Sequence, residues 1–169
     1  MAKDKSLRVV KIICLALALI AIIISGWKFY QHRNYKEEVV LGPGVTNVSK
    51  LGQYFEQING TVNDCNIYEL DSGKPGATVL LLGRSHPEEP ATNLSAQLLV
   101  ENAKPEAGKL LVVISSSRSA STGTRPGEGY PLYFNIDTEW GSKKFRMGDR
   151  WANPLDSWPD PEVYVHYPS

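Results

Sequence analysis

The chain has little of what usually announces a chemistry. It carries 2 cysteines and 3 histidines in 169 residues. Cys14 stands in an apolar run and Cys65 far along the chain, so no disulfide framework is expected. Without a thiolate-stabilising pattern around it, Cys65 reads as a small buried hydrophobe rather than a nucleophile. An excess of one charge is missing too, since 18 basic side chains balance 18 acidic ones. Lys3, Lys5, Arg8, Lys11 and Lys28 against Asp4 precede Tyr30, which leaves 13 basic and 17 acidic residues beyond it, net −4. That removes the basic footprint that supplies most nucleic-acid affinity, and nucleic acid is not an expected partner. No Gly-x-Ser-x-Gly elbow is present, so the serines of Ser115–Thr122 read as a solvated or site-lining loop.

What is present begins with a long hydrophobic run. From Ile12 to Ile24 every residue is apolar, and Trp27, Phe29 and Tyr30 extend the run with side chains that favour a membrane interface. The 19 residues from Ile12 to Tyr30 span roughly 28 Å as a helix, about the thickness of a bilayer core. A cleaved secretory signal is the rival reading, but Ile23 or Ile24 would stand where a cleavage site wants alanine, which favours a retained anchor. The charge bias across the run puts residues 1–11 in the cytoplasm as a basic tail and the domain outside, a single-pass protein of the membrane.

Residues 31–44 read as a stalk, with Gly42-Pro43-Gly44 marking a break, and residues 45–169 as the domain. Leu51, Tyr54, Phe55 and Ile58 recur at helical spacing before Asn59-Gly60, which predicts a short amphipathic helix. Asn66 to Leu70 and Ala77 to Leu82 are strand candidates, joined by a turn-rich segment that suits an antiparallel pair. The second is apolar on both faces, as in a central strand covered by helices on each side. Pro90 then starts a helix with Leu94, Leu98 and Leu99 as its core stripe, and Lys109 to Ile114 is a third strand, parallel to the second. The fold class is α/β. From Thr122 onward the Gly, Pro and aromatic content predicts long irregular structure, with Trp140, Trp151 and Trp158 as loop anchors.

In α/β sheets, ligands sit beyond the carboxyl ends of the strands. There the chain reads Gly83-Arg84-Ser85-His86-Pro87-Glu88-Glu89-Pro90. A neutral imidazole and a carboxylate are both good zinc ligands, although two ligands do not complete a site and a polar loop has the same composition. Arg118 and Arg125 are the cations best placed to meet an anionic substrate.

The run from Gly76 to Ala91, with its apolar strand, Gly83, His86-Pro87-Glu88-Glu89 and Pro90-Ala91, resembles the opening of the succinylglutamate desuccinylase/aspartoacylase family, a branch of the zinc carboxypeptidase-like hydrolases. Pro105, Gly108 and Leu110 to Ile114 fall in step with it, and Phe145 to Arg150 with Asn153-Pro154 and Trp158 to Pro161 looks like an insertion of membrane-anchored members. The resemblance covers roughly Val45 to the end. It implies a mixed sheet flanked by helices, and His86 and Glu89 as ligands of Zn²⁺. It implies a zinc-activated water attacking the amide of a small acyl-amino-acid or peptide substrate, a glutamate that shuttles the proton and an arginine that clamps a carboxylate. In the family a histidine on a later strand is the third ligand. His32 lies beside the apolar run, and His166 lies outside the family's ligand context. The third ligand and general base are thus expected beyond Ser169 or from a complementary carboxy-terminal chain, which makes this chain the front half of a hydrolase and inactive alone. The alternative is a noncatalytic membrane-tethered binding or scaffold domain derived from that fold.

Overall fold

The computed structural model describes residues 2–123, 131–139, 141–151, 153 and 156. They fall into two compact units, residues 1–35 and residues 36–169. The first is one helix, α1 (Ala2–Arg33). Its stretch Lys5–Arg33 is long and apolar enough to cross a membrane, a test that a signal sequence also passes. The helix runs past the anchor end expected at Tyr30 because no Pro or Gly lies between Tyr30 and Arg33, and Asn34 closes it with backbone and side-chain bonds to the Tyr30 carbonyl.

The second unit is mixed α/β. Its sheet is built from β1 (Asn47–Lys50), β2 (Asn66–Asp71), β3 (Thr78–Leu82) and β4 (Lys109–Val113), in the order β1-β2-β4-β3. β3 and β4 are parallel and joined by helix α2 (Pro90–Asn102), and β2 is antiparallel to both of its neighbours. The hairpin expected between β2 and β3 does not form, because β4 lies between them. For the same reason β3, expected at the centre, stands at the edge of the described sheet.

The main core lies between the sheet and α2. Tyr68, Leu70, Val112 and Ile114 meet Ala96 and Val100 there, with Leu81 and Leu110 packed alongside. The stripe that α2 buries is Asn93, Ala96, Gln97 and Val100, while Leu94, Leu98 and Leu99 are only half-buried. Close approach selects small residues here: a Cβ on Gly83 would lie 2.6 Å from the Ala96 Cβ. A smaller cluster of Cys65, Ile67 and Val113 with Leu51 and Leu111 sits on the opposite face. Burial pushes the Cys65 thiol up, and its sulfur donates to the Ser115 carbonyl at 3.0 Å.

The amphipathic helix expected over Leu51 to Ile58 is instead two 3₁₀ turns, Leu51–Gln53 and Glu56–Ile58. Extended backbone at Phe55 separates them, and the Asp64 carboxylate accepts from the Gly52 and Gly60 amides on either side. The chain after Thr122, expected to be irregular, contains a hairpin of β5 (Tyr133–Thr138) and β6 (Gly141–Arg146). Trp151 is exposed, and Trp140 and Trp158 lie outside the described residues.

Residues 36–44, within the segment expected to be a stalk, pack on the domain. Residues from Lys36 onward belong to the compact second unit. The Gly42 amide bonds the Val100 carbonyl at 3.2 Å, Gln97 Nε2 donates to the Glu38 carbonyl, and the Val40 amide reaches the Glu101 carboxylate. Gly42 and Gly44 lie so close to α2 that a Cβ would meet the Glu101 and Ala103 carbonyl oxygens at 2.0 and 2.1 Å.

Candidate metal centre and its arginine support

β3 ends at Leu82, and the chain then turns through an Arg84 that has φ of 52°, a left-handed conformation uncommon outside glycine. This turn is held by the segment that follows β4. The Ser116 amide and hydroxyl both donate to the Gly83 carbonyl, at 2.9 and 2.8 Å, and the Ser117 amide donates to the Arg84 carbonyl. Beyond the turn, the Glu89 amide closes on the His86 carbonyl at 3.0 Å, and Pro90 opens α2 at a position where a missing N–H costs nothing.

These constraints bring the expected pair together. His86 Nδ1 lies 3.5 Å from Glu89 Oε1, and the side chains are 58% and 63% exposed. Two donors on a tetrahedral zinc, each about 2.1 Å from the metal, stand about 3.4 Å apart, so the spacing fits two corners of such a site. The same distance also suits an ion pair when the imidazole is protonated. Among the described residues no group of three His, Cys, Asp or Glu side chains could hold a metal, so the fit is to half a site.

Arg118, the other expected site residue within the described chain, opens the short helix α3 (Arg118–Thr122). Its Nη1 lies 3.5 Å from the Glu37 carboxylate, and its side chain keeps partial access to solvent. Arg125 and His166 lie outside the described residues. The serine run is less solvated than its composition suggests: Ser119 and Ser121 are buried, and the Ser119 hydroxyl donates to Asp156 Oδ2 at 2.7 Å.

Sequence reasoning missed what fixes this end of the sheet. Arg84 and Arg146 are both buried, and Arg84 pairs with the Glu37 carboxylate, whose other oxygen faces Arg118. Arg84 also donates to the Arg146 carbonyl. The Arg146 guanidinium in turn takes the carbonyls that end α3, bonding those of Ser121, Thr122 and Gly123. Burial pulls the Arg146 pKa down to about 10, with repulsion from Arg84 adding to it and Glu37 opposing. It stays charged at neutral pH. Gly148 packs so close to the His86 loop that a Cβ there would lie 2.5 Å from the Pro87 Cβ, and Arg150 reaches the Glu88 carboxylate at 3.5 Å. The one sequence signal for this support is the Phe-Arg-Met-Gly-Asp-Arg run itself, because its partners are distant in the chain.

Comparison with known proteins adds nothing to the geometry: no family model, no curated protein and no solved structure matches the chain.

Proposed function

We propose that the chain is the front part of a membrane-anchored, zinc-dependent hydrolase of amide bonds, of the deacylating or carboxypeptidase-like kind. The observation that supports this reading is the 3.5 Å approach of His86 Nδ1 to Glu89 Oε1, beyond the carboxyl end of a strand that pairs in parallel with its neighbour. His86 and Glu89 would hold Zn²⁺, which when bound supplies Lewis acidity for amide hydrolysis. Arg118, the member of the arginine group that keeps partial access to solvent, binds the carboxylate of a small acyl-amino-acid or peptide substrate. The resemblance of the His86 loop to the succinylglutamate desuccinylase/aspartoacylase family points the same way. On this reading α1 is the anchor, its amino terminus is cytoplasmic, and a complementary carboxy-terminal chain brings the third ligand and the general base.

The test is a Co²⁺ titration of the full chain in lipid, followed by visible absorption. One weak site is expected, lost to the same degree in His86→Ala and Glu89→Ala. Binding that survives both changes overturns the assignment.

A noncatalytic, membrane-tethered binding domain is the second reading. It is favoured by the 3.5 Å spacing of His86 and Glu89, which also suits a direct contact of the two side chains with no metal between them. It predicts that metal leaves the resistance of the full chain to proteolysis unchanged, whereas the zinc reading predicts an increase on loading.

A further inference from the structure

We infer that Glu37 is a positioning residue for Arg118: its carboxylate holds the Arg118 guanidinium beyond the end of β4, with one edge left open for the carboxylate of a ligand. This deepens the role proposed for Arg118 and rests on it.

Of the three arginines around this carboxylate, Arg118 is the one with room to move. Arg84 and Arg146 are buried, and both are fixed by bonds to backbone carbonyls, Arg84 to that of Arg146 and Arg146 to those of Ser121, Thr122 and Gly123. The Arg118 side chain is 22% exposed. Glu37 is the one carboxylate it pairs with among the described residues, through Nη1 at 3.5 Å. A single long contact commits little of a guanidinium's fork of donors. The edge formed by Nε and Nη2 bonds nothing among the described residues, and such an edge suits a carboxylate bidentately.

The Glu37 carboxylate is itself held in place. Its Oε1 takes Arg84 and the Arg146 amide, the latter at 3.3 Å, which turns Oε2 towards Arg118. The chain around it is fixed as well, since Gln97 bonds the Glu38 carbonyl and Val39 packs against the core. Without this negative charge, three guanidinium groups would share one end of the sheet with no acid between them. Like charges repel more strongly where water is scarce. The effect is already felt at Arg146, whose pKa is pulled down by burial first, then by repulsion from Arg84 and from Arg118. Arg118 alone has solvent to retreat into, so loss of the Glu37 charge swings it outward and away from a ligand at the strand ends. Glu37 also competes with a ligand carboxylate for the same guanidinium, but only weakly. Its contact of 3.5 Å is longer than the about 2.8 Å of a charge-assisted hydrogen bond and leaves the Nε edge untouched. Glu37 precedes Val45, where the domain was expected to begin, so the segment read as a stalk carries part of the site.

The test is phenylglyoxal modification of the full chain in lipid, read at each arginine by peptide mass spectrometry. N-acetylglycine is the ligand, and N-acetylglycinamide is the control that lacks its charge. In the parent, N-acetylglycine protects Arg118, the amide does not, and buried Arg84 stays unreactive. In Glu37→Gln, Arg118 reacts faster without ligand, and half-protection needs about tenfold more N-acetylglycine, the scale on which a ligating group loses affinity without the partner behind it. Arg84 stays unreactive there too, which reports an intact fold in the same sample. Val39→Ala loosens the same segment without touching the carboxylate and leaves both Arg118 readings at parent values. Three results overturn the inference alone: protection in Glu37→Gln that equals or exceeds the parent's, an Arg84 that becomes reactive together with Arg118, or a Val39→Ala chain that matches Glu37→Gln. Absence of protection in the parent overturns the clamp role of Arg118 and the inference with it.

Discussion

The Glu37 carboxylate is buried against the Arg84 guanidinium, a partner 47 residues along the chain. With side chains 7% and 1% exposed, the pair has little water to fall back on. Glu37 belongs to the segment that follows α1, whereas Arg84 sits two positions before His86, at the left-handed turn that aims the candidate metal loop. Glu37 also faces Arg118 and accepts from the Arg146 amide at 3.3 Å. One carboxylate thus ties together the end of β3, the start of α3 and the end of β6, and it is the acid that offsets three neighbouring guanidinium charges.

Removing one partner of a buried pair leaves the other charge uncompensated, at a cost of about 3–5 kcal/mol. Glu37→Ala is expected to destabilise the second unit by that order. Glu37→Gln, which keeps an acceptor for Arg84, loses less than Glu37→Ala. Pulse proteolysis of the full chain in lipid, read over a urea series, measures both. A Glu37→Ala chain as resistant as the parent would show that the pair contributes nothing.

The contact between Gly148 and the His86 loop leads to a different outcome. A Cβ at position 148 would lie 2.5 Å from the Pro87 Cβ, 2.7 Å from the Ala120 carbonyl oxygen and 2.9 Å from the Ser121 Cα. Two of those three neighbours are backbone, so relief must come from the Pro87 side. Gly148→Ala is expected to cost about 1–3 kcal/mol through overpacking and to shift the loop that carries His86. Co²⁺ affinity should fall although both ligands remain. At Gly123 the nearest atoms would be 3.2 Å away, so Gly123→Ala should affect metal binding much less. Equal effects at the two glycines would remove the link between this segment and the loop.

How much of this was legible in the sequence follows from the range of the contacts. β3, α2 and β4 were readable because continuous apolar runs are punctuated locally, by Gly83 and Pro90 and by Pro105 and Gly108. β1 was not, because Asn-Val-Ser-Lys carries no strand pattern of its own and is drawn into the sheet by pairing with β2. The turns at Leu51 and Glu56 defeated the helical period through Asp64, a tertiary acceptor that periodicity cannot see. The β5–β6 hairpin left a usable trace in the alternation of Phe134 with Ile136, masked by the Gly and Pro content around it. Of the candidate site, His86 and Glu89 were visible because four residues contain both. Glu37 was invisible, since its partners lie as far as 109 positions away.

Asp64 gives a prediction with a defined sign. The Gly52 amide, at 2.8 Å, lowers its pKa most, and the Gly60 amide and the Lys50 charge add to it against a smaller penalty from burial. Between that lowered value and the ordinary aspartate value near about 4, the unfolded chain binds more protons than the folded one. The stability that Asp64 contributes is therefore fully present above about pH 4 and is lost as pH falls through the folded value. Asp64→Asn keeps an acceptor oxygen but cannot titrate. It should be less stable than the parent at pH 7 and should close the gap as the pH is lowered below about 4, because the parent then loses the same charge. Unfolding of the two chains, compared at intervals from neutral to acid pH, measures the gap. A difference that stays constant across that range would mean that the backbone bonds to Asp64 do not depend on its charge.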